Sequence, residues 1–163
     1  MGFMNLADIG QLVQARRTAL GLSQARLATM SGLSRATINQ LETGSLVDLG
    51  AAKLIALLDL LGIKLDAGTR KGHPHALQSV SQSASVSYKT VLDPAVLAAA
   101  LVDGALPKGI TPHVATLLDE APLSLIVAVV EEVASNSSTS PKLLWKHLLH
   151  WAKDLHSPRG VWA

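Results

Sequence analysis

The sequence predicts an all-α fold: an N-terminal helical bundle, a short strand, a linker and a small C-terminal helical domain. Three observations carry this. Apolar residues recur at helical spacing in the front and the back of the chain. Ser and Gly stand where those runs would start and stop as helices. Between the two parts lies a stretch rich in Gly, Ser, His and Gln and poor in large apolar residues. The expected divisions are a bundle over 1–66, a linker over 67–90 and a helical interaction domain over 91–163.

The first helix runs from about Ala7 to Leu20, with Ile9, Leu12, Val13 and Leu20 at helical spacing and Gly21 as its stop. Ser23 caps a second helix through about Met30, and Ser31-Gly32 makes a turn. Ser34 caps a third helix that ends near Thr43-Gly44. A fourth, from about Leu49 to Leu61, carries Leu54, Ile55, Leu57, Leu58 and Leu61 on one face before Gly62. Ile63-Lys64-Leu65 then reads as a short strand. Within the linker, Ser alternates with small apolar residues from Ser79 to Tyr88, a pattern that can become a strand on a partner.

The C-terminal part opens with Asp93-Pro94, a helix start with Pro at its first position. "LPKGITP" is a loop and His113 to Glu120 a short helix. "LSLIVAVVEEV" is apolar nearly all round, which suits a buried central helix, with a strand as the alternative. "SNSSTSP" is a loop. "PKLLWKHLLHWAKDL" is the last helix, with Leu144, Leu148, Trp151 and Leu155 as its apolar stripe.

Composition narrows the function. The 163 residues include no Cys, which excludes disulfides and thiolate metal sites and fits a reducing, cytoplasmic setting. No run reaches the length of a transmembrane helix, and the opening "MGFMNLADIG" lacks the pattern of a signal peptide, so no membrane role is expected. The net charge of +2 hides an asymmetry. Residues 1–72 carry +3 and residues 91–163 carry −2, which suggests a polyanion partner for the front.

The segment "LSQARLATMSGLSRATINQLETG" is a capped helix, a Gly-containing turn and a second capped helix, which is the helix-turn-helix plan. Leu27, Ala28, Leu33, Ile38 and Leu41 hold the pair together. With Ile38 and Leu41 inward, Arg35, Ala36, Asn39 and Gln40 must point outward. Those side chains can reach base edges in a major groove: Arg suits guanine, Asn or Gln suits adenine, and a methyl group suits thymine. A merely solvated helix has no need of that set.

From about Asp8 to Leu65 the chain resembles the DNA-binding domain of the lambda-repressor/Cro group, the XRE-type regulators. The residues that carry the resemblance are Ser23-Gln24, Leu27-Ala28, Gly32, Ser34, Thr37-Ile38, Leu41-Glu42 and Gly44. The resemblance implies a lambda-repressor-like helix-turn-helix bundle. It implies that Arg35, Ala36, Asn39 and Gln40 read bases. It implies that Arg16, Ser23, Gln24, Ser34 and Thr43 lie along the DNA phosphates, and that Arg17 and Glu42 form a structural ion pair. Arg26 departs from the pattern, which commonly has Glu there to complete a capping box with Ser23. A cation near that helix start costs about 0.5 kcal/mol, which contact of Arg26 with phosphate would offset.

Such regulators usually act as homodimers on inverted-repeat double-stranded operators, because one short helix reads few bases. "GIKLDAG" is a candidate dimer strand; an intrachain or merely extended segment is the alternative. The whole layout, through "SASVSYKTVLDPAVLAAALVDG", "TPHVATLLDEAPLSLI" and the Trp-containing last helix, also resembles antitoxins that accompany AbiE-type nucleotidyltransferase toxins. This implies a repressor of its own operon whose C-terminal half binds a toxin, with Trp145, Leu148 and Trp151 as partner-binding anchors. The acidic C-terminal half would suit a basic partner. The alternative is a free-standing transcriptional regulator whose C-terminal domain dimerises or senses a ligand.

No enzyme, cofactor or metal site is expected. The Ser residues lack a nucleophile context, no Gly-rich phosphate loop occurs, and the carboxylate pairs Asp119-Glu120 and Glu131-Glu132 are consecutive and so diverge around their helices. His73 and His75, and His147 and His150, have metal-compatible spacings, but no third ligand completes either set.

Overall fold

The structure is a computed structural model that describes residues 4–66, 68–69 and 75–163. The chain divides into two compact units, Met1–Gly68 and Thr69–Ala163. The described residues are helical or irregular, with no strand among them.

In the first unit the chain forms α1 (Leu6–Ala19), α2 (Gln24–Ser31), α3 (Arg35–Thr43) and α4 (Ala51–Leu60). Each start of the first three has a side-chain cap. Asn5 Oδ1 accepts from the Asp8 amide at 2.9 Å while Asp8 Oδ2 accepts from the Asn5 amide at 3.0 Å, a reciprocal capping box. Ser23 and Ser34 accept from the Arg26 and Thr37 amides. Gly32 and Gly44 end α2 and α3 with φ of +72° and +75°, a conformation that costs other residues about 1 kcal/mol or more. Val13, Leu27, Ala28, Ile38, Leu41, Leu57, Leu58 and Leu61 form the core.

Leu6, Gly10, Val13 and Arg17 fall on one stripe of α1 at helical spacing, and Gly10 and Arg17 meet α3 there. Gly10 is buried there, and a Cβ on it would collide with the Leu41 carbonyl, 2.8 Å from the carbonyl carbon. This stripe corrects the expected one: Leu12 and Leu20 are exposed, because the glycine contact decides how α1 is rotated.

The strand expected at Ile63–Leu65 is not formed. Gly62 turns left-handed at the end of α4, and the Ile63 amide bonds back to the Leu58 carbonyl at 2.9 Å. One backbone donor of the expected strand is thus taken by the helix end, and the Ile63 side chain packs on the core.

The second unit contains α5 (Ala76–Ser85), α6 (Pro94–Asp103), α7 (Thr111–Glu120), α8 (Leu123–Ser137) and α9 (Pro141–Asp154). Short 3-10 turns lie at Lys108–Ile110 and Gly160–Trp162. α8 is the expected buried helix, with Ile126, Ala128, Val129, Val130 and Val133 in the core.

The expected linker over 67–90 requires correction. Residues 67 and 70–74, including His73, lie outside the described residues, but 76–85 is a helix rather than a linker or a strand. Ala76, Leu77, Val80 and Ala84 bury one face of α5 among α6, α7 and α8. Ser85, one of the Ser residues that made the stretch look unstructured, is absorbed: its Oγ donates to the Ser81 carbonyl and accepts from the Leu92 amide at 2.8 Å. Tertiary burial outweighs the weak intrinsic propensity.

Two expected partner-binding anchors are also corrected. Leu148 and Trp151 are each only 2% exposed and belong to the core. The Trp151 indole N–H donates to the Gly104 carbonyl at 3.0 Å, and His147 Nδ1 lies 2.6 Å from the Leu101 carbonyl. Together they satisfy carbonyls that end α6. Trp145 is half-buried. Among the described residues, no helix is long and apolar enough to cross a membrane.

Gly10→Ala should destabilise the first unit by about 3 kcal/mol or more, because the added methyl meets backbone that cannot rotate away. Thermal melting followed by circular dichroism checks this. A Gly10→Ala chain as stable as the wild type would show that α1 and α3 are not in close contact.

Candidate nucleic-acid interface

α3 has one face held and one face free. Ile38 and Leu41 are buried in the core and Glu42 is buried beside them. Arg35, Ala36, Asn39, Gln40 and Thr43 are all exposed. At 100° per residue these five occupy less than half the circumference of the helix, so they form one continuous polar edge.

That edge is anchored by a buried ion pair. Arg17 Nε donates to Glu42 Oε1 at 2.6 Å and Nη2 donates to Oε2 at 2.9 Å, a two-pronged contact across α1 and α3. Arg17 Nη1 also donates to the Leu22 carbonyl at 2.7 Å, which ties down the loop before α2. Burial alone would raise the Glu42 pKa. Hydrogen bonds from Arg17 and Gln24, together with the Arg17 charge, outweigh it and leave the carboxyl below its ordinary value. The bond to Glu42 correspondingly raises Arg17, against the opposing effect of burial.

The residues expected along phosphates are more varied in placement. Ser23 and Ser34 serve as helix caps, and Ser34 Oγ also lies 2.8 Å from Thr37 Oγ1. Thr43 Oγ1 bonds back to the Asn39 carbonyl at 2.9 Å. Arg16 Nε donates to the Leu61 carbonyl at 2.9 Å, so part of its guanidinium closes the end of α4. Arg26 is exposed on the first turn of α2, where the Ser23 half of a capping box is present. Gln24 Nε2 donates to Glu42 Oε2 at 2.9 Å and to Asn39 Oδ1 at 3.3 Å.

Two features here were not anticipated from sequence. The Gln24–Asn39 link joins two helices through amide groups, and no spacing rule marks it. Gly10 did leave a sign, as an isolated glycine inside a helical pattern.

The histidines do not converge. His147 serves α6 as described, and His150 Nε2 lies 3.1 Å from Asp154 Oδ2, one turn on. Among the described residues, no three His, Asp or Glu side chains stand close enough to hold a metal ion.

Residues 13–67 match the family model HTH_3, described as Helix-turn-helix. That span covers the second half of α1 and all of α2, α3 and α4, about a third of the chain. It supports an XRE-type helix-turn-helix domain and a DNA-binding regulator. No curated protein and no solved structure is significantly similar to the chain.

The depressed Glu42 pKa carries a sign. A carboxylate favoured in the folded state adds stability above its unfolded pKa of about 4.3, and that stability is lost as pH falls through the lower folded value. The stability advantage of wild type over Glu42→Gln should therefore shrink as pH falls from about 5 toward 2. Melting temperatures of both chains across this range measure it. A constant gap would mean that the charge of Glu42 contributes nothing to folding.

Proposed function

We propose that the chain is a sequence-specific transcriptional repressor that binds an inverted-repeat operator as a homodimer through α3. We further propose that it is the antitoxin of a toxin–antitoxin pair, represses its own operon and binds the toxin, a nucleotidyltransferase, through its second unit. It acts by binding, without catalysis. What supports the DNA reading most is the exposed edge of Arg35, Ala36, Asn39 and Gln40, presented on a helix whose other face is locked by the Arg17–Glu42 pair. Specificity needs a rigid presenter, because base contacts discriminate only when their donors and acceptors are held in register.

For the partner, the usable surface of α9 is narrower than the expected anchors. Leu143 and Leu149 are exposed, Trp145 is half-buried, and exposed Lys142 and Lys146 stand among them. The −2 charge of residues 91–163 therefore does not describe this face, which would suit an acidic complement.

Arg35→Ala and Gln40→Ala should each cost about 1–3 kcal/mol of discrimination between the preferred duplex and one altered at a single base pair. Binding titrations on matched duplexes test this, and unchanged preference in both variants would remove α3 from the groove. The toxin role is tested by co-expressing the tagged full chain with the products of neighbouring genes. A Leu143→Glu, Leu149→Glu double variant should lose the captured neighbour while retaining its operator. Capture of nothing by the wild type would leave a regulator without a toxin.

A further inference from the structure

We infer that Gln24 is a positioning residue that turns the Asn39 side chain into a donor-only contact, so that Asn39 reads guanine rather than adenine. This rests on the proposal that α3 reads bases, and it settles a polarity which that proposal leaves open.

The derivation starts at Glu42. Its carboxylate is fully buried and bonded to Arg17 through both oxygens, so it accepts hydrogen bonds and donates none. A Gln24 amide facing it can offer only its NH2 group, and Gln24 Nε2 does lie 2.9 Å from Glu42 Oε2. That amide group has a second hydrogen, and 3.3 Å away is Asn39 Oδ1. Toward a donor, Asn39 must turn its oxygen. Its own NH2 group therefore faces away from Gln24, toward the exposed edge of α3.

The consequence lies in the shape of base edges. A free Asn reads adenine with both ends of its amide, accepting from N6 and donating to N7. An Asn whose oxygen is turned to Gln24 holds that oxygen away from the exposed edge, so its amide cannot set both ends against adenine. Its two N–H groups match two adjacent acceptors instead, and guanine presents N7 and O6 side by side. Arg35, one turn before Asn39 on the same edge, is also a pure donor and favours the same base. Gln40 has no side-chain hydrogen bond among the described residues, so its amide stays free to choose either polarity.

The outward atom of the Gln24 side chain is then Oε1, an acceptor. A phosphate oxygen opposes it, so any phosphate contact by Gln24 falls to its backbone amide at the first position of α2.

The test uses the full chain and duplexes selected from a random pool. The base pair read by Asn39 is the one at which Asn39→Ala becomes indifferent. Wild type should prefer guanine over adenine there by about tenfold, and Gln24→Met should shift that preference toward adenine while leaving the other positions alone. Preference for adenine by the wild type overturns the inference. So does a Gln24→Met variant that weakens every duplex by one common factor, the signature of a phosphate contact. If Gln24→Met fails to fold, 7-deazaguanine at that position decides with the wild type: about tenfold weaker binding supports the inference, and unchanged binding overturns it. Indifference of the selected site to Asn39→Ala, Arg35→Ala and Gln40→Ala alike is a separate failure, that of α3 as the reader.

Discussion

The first unit depends on how closely α1 can approach α3. Gly10 removes a Cβ that would keep the backbones apart, and the Leu41 carbonyl occupies the space. A glycine inside a helix costs about 1 kcal/mol relative to alanine, so its presence marks a contact worth more than that. Once the helices are this close, Arg17 stands seven residues on, two turns along the same stripe, and reaches Glu42 with two bonds. The glycine and the ion pair are thus two ends of one docking geometry.

A buried ion pair is not in itself a large source of stability, because desolvation consumes most of the attraction. Its value here is positional. Glu42 takes hydrogen bonds from Arg17 on α1 and from Gln24 on α2 while sitting on α3. Three helices are keyed to one carboxylate, and an acceptor that cannot rotate into a donor fixes the polarity of whatever touches it. This carries order from the core to the exposed edge, through Gln24 to Asn39. An apolar residue in place of Glu42 could fill the same volume but could not transmit a donor–acceptor sense.

The second unit solves its helix ends differently. The Leu77 amide at the start of α5 donates to Glu132 on α8 at 2.9 Å. Carbonyls at the end of α6 accept from His147 and Trp151 on α9. Those at the end of α7 accept from Arg159 and Trp162 in the C-terminal tail. At these ends side chains distant in sequence serve as caps, whereas the start of α6 is capped locally by Asp93. Trp151, which suggests a partner anchor, is thereby committed to the interior, and Leu148 is buried in the same core. The surface that α9 keeps is the opposite one, with Leu143, Leu149 and lysines.

The sequence alone determined the parts of this protein that local chemistry decides. Ser23, Ser34, Gly32 and Gly44 mark the ends of α2 and α3 because capping and left-handed turns need those residue types within a few positions. The inward Ile38 and Leu41 then leave only one edge for Arg35, Ala36, Asn39 and Gln40. Tertiary structure decided the rest. The rotation of α1 followed from a close backbone approach at Gly10, not from hydrophobic periodicity, so Leu12 and Leu20 misled. The Ser-rich stretch around α5 became a helix because four small or apolar residues found a core to enter, and propensity cannot register a neighbour that is remote in the chain. The segment after α4 forms no strand in the single chain, and its first amide is bonded to a helix end. In each case the deciding partner lay on a different element or turned on a backbone direction, and periodicity along one segment records neither.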